Sequence, residues 1–103
     1  MTSRDRLIVA LDAPSWLKTQ ATVRALRGLV KTVKVGSILF TACGPSAVQH
    51  LRALGFRVML DLKFFDIPNT VDESCRAAVR HGVSMLTVHA VGHPEMLRAA
   101  VRG

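Results

Sequence analysis

The sequence is poor in aromatic residues and cysteines, and it has no long hydrophobic run. Aromatic residues make up 5% of its 103 residues, and its arginines form no basic block, so nucleic-acid recognition is not favoured. Cys43 and Cys75 stand alone, without a CxxC pair or clustered histidines, which is typical of reduced thiols rather than of a zinc site. No apolar run approaches the about 18 residues that cross a bilayer.

The N-terminal residues do not resemble a secretory signal. Arg4 and Arg6 precede an apolar run over residues 7–11. Five apolar residues ending at Asp12 are too few for the core of a signal peptide. A cytoplasmic protein with no membrane partner is therefore expected.

The composition is that of an ordinary globular protein, because half of the residues are hydrophobic and 20% are charged. We expect a single domain unit over residues 1–103. Lys and Arg number 14 against 7 Asp and Glu, for a net charge of +7. The arginines are spread over several predicted helices, which indicates a solvated outer surface. Their positive field favours an anionic, phosphorylated substrate.

A short β-branched run, a turn and an amphipathic helix follow one another four times. Strands are expected at residues 7–12, 32–36, 57–63 and 84–89, and helices at 14–30, 45–54, 69–82 and 94–102. This alternation predicts a parallel sheet with right-handed crossovers. Four units of about 25 residues make half of a (β/α)8 TIM barrel. A doubly wound sheet is the alternative, but the turn after the first strand, LDAPSW, lacks its usual glycines.

Charged residues recur on one face of the predicted strands. Side chains alternate between faces, so one face carries Asp12, Lys34, Asp61 and Lys63 near the carboxyl ends of three strands. The other face is wholly apolar and is expected to pack beneath the helices. Barrel enzymes place their active sites at the carboxyl ends of the strands. Because buried charges must pair, the four residues are expected to form either a catalytic cluster or a structural ion network.

The spacing Asp61-x-Lys63-x-x-Asp66 indicates a particular chemistry. Asp61 and a second carboxylate would hold Lys63 as an oriented ammonium group, which can donate a proton or stabilise developing negative charge. Such a lysine is poorly suited to Schiff-base formation, because that reaction needs a neutral amine. A carbanion or oxyanion intermediate without a covalent enzyme adduct is expected.

These residues also carry a family resemblance. Residues 61–70 read DLKFFDIPNT, which resembles the D-x-K-x-x-D and I-P-x-T signature of orotidine 5'-phosphate decarboxylases. Segments similar to that family occur in the same order along nearly the whole chain: LIVALD (7–12), KVG (34–36), LF (39–40), GP (44–45) and LTVHA (86–90). The related hexulose-phosphate synthases share D-x-K-x-x-D but lack the Ile-Pro.

The resemblance implies the N-terminal half of a barrel that converts orotidine 5'-monophosphate to uridine 5'-monophosphate without a cofactor or metal. Lys63 would protonate C6 of the pyrimidine, and Asp61 would lie against the substrate carboxylate. Lys34 would bridge the ribose and the carboxylate pair, and Asp12 would accept a ribose hydroxyl.

The resemblance also implies a homodimer with shared active sites. In the family, the second aspartate and the following Ile-x-x-Thr reach the neighbouring subunit's site, which assigns Asp66, Ile67 and Thr70 to that role. Ordinary loop packing and helix capping are the alternative for Ile67 and Thr70.

The sequence departs from the family pattern in the loop after the fourth strand and in length. His93 stands where a glycine is usual, and it either caps the next helix or alters the loop; Phe65 replaces a frequent histidine. Strands five to eight, which hold the phosphate in such barrels, are absent, so the chain alone is expected to be inactive and prone to self-association. An Mg²⁺-dependent hexulose-phosphate-type lyase and a non-catalytic, self-associating half-barrel remain alternatives.

Overall fold

The computed structural model describes residues 2–103 and contains one sheet of four parallel strands. The strands are hydrogen-bonded in chain order, so each connection crosses over a face of the sheet. Their bounds are Ile8–Leu11 (β1), Thr32–Gly36 (β2), Arg57–Phe64 (β3) and Met85–Val88 (β4). This confirms the predicted α/β arrangement of four βα units with parallel strands.

Residues 2–103 contain six helices, of which four were predicted. Their bounds are Ser3–Arg6 (α1), Trp16–Leu26 (α2), Ser37–Cys43 (α3), Ser46–Ala53 (α4), Pro68–His81 (α5) and Pro94–Arg102 (α6). None of these helices has both the length and the hydropathy of a transmembrane span.

The predicted ends of helix α2 were wrong. Helix α2 begins two residues after Pro14, because the Ser15 hydroxyl caps it by accepting a hydrogen bond from the Lys18 N–H at 3.2 Å. It also ends at Leu26 rather than at residue 30. Helix α5 begins at Pro68, next to Asn69 where its start was expected, and proline suits the first turn because the backbone N–H there has no partner within the helix.

Helices α1 and α3 were not predicted. Residues 37–43 were interpreted as part of a loop, but they form α3 between Gly36 and Gly44, which has a φ of 66°. A seven-residue helix has little stability of its own. Leu39, which is fully buried in the core, anchors α3 against the sheet. Tertiary packing therefore decides the conformation of this segment.

The core lies between one face of the sheet and the helices. The predicted apolar face is confirmed in the two central strands, where the side chains are at most 3% exposed: Val33, Val35, Val58 and Leu60. Leu7 lies ahead of β1 and is exposed, so its predicted packing beneath the helices was wrong. On the opposite face, Ile8 and Met85 remain exposed. That open face leads to the charged residues at the carboxyl ends of the strands.

Candidate active site

The carboxyl ends of β1, β2 and β3 bring charged residues to one edge of the sheet. Register pairs Lys34 with Met59 and Gly36 with Asp61 across β2 and β3. Because alternate residues of a strand share a face, Lys34 and Asp61 project from the same side of neighbouring strands. Asp12 directly follows the last residue of β1.

Asp61 is the centre of this cluster. Its Oδ1 accepts a hydrogen bond from Lys63 Nζ at 2.9 Å, and its Oδ2 lies 3.2 Å from Lys34 Nζ. The Asp61 side chain is only 12% exposed, whereas that of Lys63 is 61% exposed. One largely buried carboxylate is thus held between two ammonium groups, and one of these reaches into the open space above the sheet.

The surroundings of Asp61 favour its ionised form. The hydrogen bond from Lys63, followed by those from Thr87 and Lys34, lowers its pKa from 3.8 to about 2, although burial acts in the opposite direction. The carboxylate therefore stays charged throughout the neutral range. A fixed negative charge keeps both lysine side chains oriented toward the same point.

Lys63 has an unusual backbone conformation. Its φ is 52°, and it is the one residue other than glycine with a positive φ among residues 2–103. The β3–β4 register shifts between Leu60 and Phe64, so Lys63 lies at a bulge. Bulges often redirect a side chain next to an active site. Regular strand alternation, on which the sequence analysis relied, did not predict this feature.

Thr87 of β4 contacts this cluster, although the sequence offered no reason to assign it a role. Its Oγ1 donates to Asp61 Oδ1 at 2.7 Å and accepts from the Lys63 backbone N–H at 3.0 Å. A threonine at alternating spacing in a strand is common. The sequence therefore held no signal that Thr87 contacts both Asp61 and Lys63.

Asp12 lies near the cluster without an ion pair to it. A Cβ added to Gly36 would stand 3.8 Å from Asp12 Oδ1 and 3.8 Å from the Asp61 carbonyl oxygen, which places Asp12 at the same edge. Within residues 2–103, no salt bridge joins it to Lys34 or Lys63. The exposed Asp12 carboxylate is thus available to a ligand rather than to the ion network.

Asp66, Ile67 and Thr70 lie outside the cluster and are exposed. Asp66 Oδ1 accepts a hydrogen bond from the Ile67 N–H at 2.7 Å. In the described part of the chain, no hydrogen bond or ion pair links Asp66 to Lys63. The assignment of these three residues to a neighbouring subunit's site stays a prediction.

The residues that directly follow β3 and β4 bring two further side chains together, Phe65 and His89. The rings of Phe65 and His89 meet edge to face, with centroids 5.5 Å apart. His93 is the residue that caps α6, and its Nδ1 accepts from the Glu95 N–H at 3.4 Å. Of the two interpretations of His93, the structure supports the helix cap.

Comparison with known proteins places the chain in a family. A model described as the orotidine 5'-phosphate decarboxylase / HUMPS family matches residues 5–103. The chain belongs to this family. The predicted resemblance is thereby confirmed over nearly the whole sequence.

Curated members of the orotidine 5'-phosphate decarboxylase / HUMPS family are close in sequence but longer. The chain is 48% identical over 103 residues to a protein from Anaeromyxobacter dehalogenans, and 50% identical over 95 residues to one from Halorhodospira halophila. Both relatives are named orotidine 5'-phosphate decarboxylase. These matches cover 100% and 92% of this chain but 45% and 40% of the relatives. The chain thus spans less than half the length of the curated relatives it matches.

Solved structures give the same picture of the fold. Orotidine 5'-phosphate decarboxylase from Lactobacillus acidophilus superposes with a TM-score of 0.85 at 34% identity, over 96% of this chain and 44% of that one. An uncharacterized conserved protein from Geobacillus kaustophilus gives a TM-score of 0.87 at 41% identity, over 92% and 44%. The predicted half of a (β/α)8 barrel is therefore confirmed for these residues.

Proposed function

We propose that the chain forms part of an enzyme that decarboxylates orotidine 5'-monophosphate to uridine 5'-monophosphate in pyrimidine biosynthesis. The observation that carries the proposal is the Asp61 carboxylate held between Lys34 and Lys63. The names of the curated relatives point to the same reaction. The excess of positive charge suits a phosphorylated substrate.

In the proposed reaction, the bond between C6 and the carboxylate carbon breaks, and its electron pair stays on C6. Asp61 lies against the leaving carboxylate. The Lys63 ammonium stabilises the charge that develops on C6 and gives C6 its proton as carbon dioxide departs. An ammonium group 2.9 Å from a carboxylate is suited to this role and unsuited to forming a Schiff base. The reaction needs no cofactor.

The remaining site residues are proposed to bind the substrate. Lys34 bridges the ribose and the carboxylate pair, and Asp12 accepts a ribose hydroxyl. Asp66, Ile67 and Thr70 act in the site of the neighbouring subunit of a homodimer. Their exposure in this chain is consistent with contacts made to a second copy. The cytoplasmic location expected from the sequence stays a prediction.

The function is tested in a chimera in which this chain replaces the matching 103 residues of the Anaeromyxobacter dehalogenans decarboxylase. We expect the chimera to consume orotidine 5'-monophosphate, which is measured by the change in absorbance. Lys63→Ala should lower kcat by about a hundredfold to ten-thousandfold, because a general acid is lost. Lys18→Ala, an exposed lysine of α2, is the matched control and should leave kcat unchanged. A stable chimera without activity would refute the proposal.

The 103-residue chain by itself is proposed to have little or no activity. Barrel enzymes commonly hold the substrate phosphate after the seventh and eighth strands, whereas these residues supply four strands. Binding of a remote phosphate group contributes to transition-state stabilisation, so its loss lowers kcat as well as affinity. Clear turnover of orotidine 5'-monophosphate by the purified chain would contradict this part of the proposal.

The shared site is tested by mixing two inactive chimeras. In the proposed dimer, each site takes Lys63 from one subunit and Asp66 from the other. A dimer of one Lys63→Ala subunit and one Asp66→Ala subunit therefore has one site with both substitutions and one intact site. Random exchange of subunits should restore about a quarter of the unmutated activity, since half of the dimers are then mixed. Absence of any recovery under conditions where subunits exchange would assign Lys63 and Asp66 to the same subunit's site.

The family description also covers a second candidate function. The HUMPS part of the family name corresponds to an Mg²⁺-dependent, hexulose-phosphate-type lyase as the alternative, although the Ile67-Pro68 pair favours the decarboxylase. Turnover of a hexulose phosphate by the chimera that EDTA abolishes would favour the lyase. A non-catalytic half-barrel would instead associate with itself through its open face. It would sediment as a tight self-associated species and would not bind orotidine 5'-monophosphate.

A further inference from the structure

Thr87 contacts both Lys63 and Asp61, the two residues whose relative position matters most for the proposed reaction. Its side chain, on β4, is partly buried and stands beside the bulge of β3. The Lys63 backbone N–H donates to its Oγ1 at 3.0 Å, and that same oxygen lies 2.7 Å from Asp61 Oδ1. The hydroxyl thus contacts the backbone of the lysine and the carboxylate that binds the lysine's ammonium group.

The direction of these hydrogen bonds follows from the chemistry of the groups. A hydroxyl has one hydrogen to donate and two lone pairs to accept with. Since the Lys63 N–H is a donor, it must use a lone pair of Thr87 Oγ1. The single hydroxyl hydrogen is therefore free to point at Asp61 Oδ1, which also accepts from Lys63 Nζ at 2.9 Å. These three hydrogen bonds close a ring through Thr87, Asp61 and Lys63.

The geometry points to Thr87 as a positioning residue of the decarboxylation site, one that fixes the Lys63 ammonium relative to the Asp61 carboxylate. This inference rests on the proposed function. Lys63 adopts a φ of 52°, a conformation that residues with a side chain rarely hold without support from their surroundings. Thr87 supplies such support from a neighbouring strand. It does not touch the reacting atoms, and it acts through Asp61 and Lys63.

The Lys63 ammonium group and the Asp61 carboxylate need this support because both side chains can adopt other conformations. Lys63 has a long side chain that is 61% exposed, so one hydrogen bond to Asp61 alone leaves it much rotational freedom. Lys34 holds Asp61 at Oδ2, at 3.2 Å, whereas Thr87 holds it at Oδ1, the oxygen that binds Lys63. Thr87 restricts the Asp61 carboxylate and the Lys63 backbone together, which preserves the preorganisation that electrostatic catalysis requires.

The first test measures position without relying on activity. Thr87→Val keeps the branched shape and removes the hydroxyl, Thr87→Ser keeps the hydroxyl, and Thr41→Val is a control at an exposed site in α3. In NMR spectra of the 103-residue chain, Thr87→Val should speed exchange of the Lys63 amide about tenfold or more. It should also raise the pKa of Asp61, because a donor to the carboxylate is lost. Thr87→Ser and Thr41→Val should match the unmutated chain.

The second test measures kcat and KM in the chimera. Thr87→Val should lower kcat about tenfold to a hundredfold with little change in KM, since a hydrogen bond to a charged group is lost while substrate contacts remain. Thr87→Ser should restore most of kcat. Unchanged kcat in a folded Thr87→Val chimera, or equal losses in Thr87→Val and Thr87→Ser, would overturn the inference.

The two tests separate this inference from the proposed function. If the unmutated chimera is inactive, the proposed function fails, and the NMR measurements still decide whether Thr87 positions Asp61 and Lys63. If the chimera is active but Thr87→Val changes neither the Lys63 amide nor the Asp61 pKa, the proposed function stands and the role of Thr87 is refuted. Circular dichroism spectra identify any variant that fails to fold. If Thr87→Val does not fold, Thr87→Ala removes the same hydroxyl and should show the same changes relative to Thr87→Ser.

Discussion

Replacing Asp61 with asparagine should destabilise the fold by an amount that depends on pH. Asp61 is the carboxylate that Lys34 and Lys63 share, at 3.2 and 2.9 Å. The difference between its ordinary pKa of 3.8 and its lowered pKa of about 2 corresponds to about 2 kcal/mol of stabilisation at neutral pH. Because Lys63 is well exposed and its charge is screened by solvent, we expect about 1 to 2 kcal/mol.

The sign of the pH dependence follows from the direction of the pKa change. A carboxylate whose pKa is lower in the folded than in the unfolded state stabilises the fold above its unfolded pKa. That contribution is lost as the pH falls from about 4 through 2. The unmutated chain should therefore exceed Asp61→Asn in stability at pH 7, and the two should converge near pH 2. Asp5, whose pKa is lowered to about 2 mainly by its hydrogen bond from Lys31, titrates in both proteins and cancels from the comparison.

Urea denaturation at several pH values measures this difference. Circular dichroism and the fluorescence of the single tryptophan follow unfolding, and Trp16 stacks on His50 rather than on the charged cluster. Asp12→Asn is the matched control, because Asp12 is exposed and outside the ion pairs of the cluster. Equal or greater stability of Asp61→Asn at pH 7 would refute the reasoning, since the cost of burying the carboxylate would then exceed its attraction to the lysines.

Four further substitutions test other parts of the fold and of the candidate site. Leu39→Ala removes a fully buried side chain and should lower the free energy of unfolding by about 2 to 5 kcal/mol; an unchanged urea midpoint would contradict the packing assigned to α3. Gly82→Ala adds a side chain at a φ of 93°, next to Arg52, and should destabilise by about 1 kcal/mol in the same assay. Gly36→Ala places its Cβ at ordinary contact distance, 3.8 Å, from Asp12 and Asp61, so stability should change by less than about 0.5 kcal/mol. Gly36→Leu should instead raise KM in the chimera by filling the mouth of the site, and an unchanged KM would place the substrate elsewhere.

Sequence patterns were sufficient to predict the four strands, because each combines β-branched residues with a turn and a following helix. Alternation within the strands also predicted that Lys34 and Asp61 share a face, and the structure places their charged atoms 3.2 Å apart. Strand alternation is a local property, so it can be inferred without knowledge of the neighbouring strands. The apolar face beneath the helices was predicted for the same reason.

Features that depend on distant contacts were not predicted. Helix α3 forms because Leu39 packs into the core. Its seven residues were interpreted as a loop because they carry no helical pattern of their own. The bulge at Lys63 depends on where β4 pairs with β3. The two hydrogen bonds of Thr87 join β4 to the same part of β3. Such features require the relative position of two strands, which periodicity within one strand does not contain.

The bulge would give the flexible Lys63 a defined position for the proton transfer proposed above. Regular alternation would also place Lys63 on the same face as Asp61, but with the negative φ of a regular strand. The positive φ turns its backbone, and the contacts to Asp61 and Thr87 hold it in that conformation. Strained residues persist where surrounding contacts determine them, and they cluster at functional sites. The strained backbone of Lys63 and the charge cluster at Asp61 therefore depend on each other. The contacts that stabilise the cluster also offset the strain that positions the lysine.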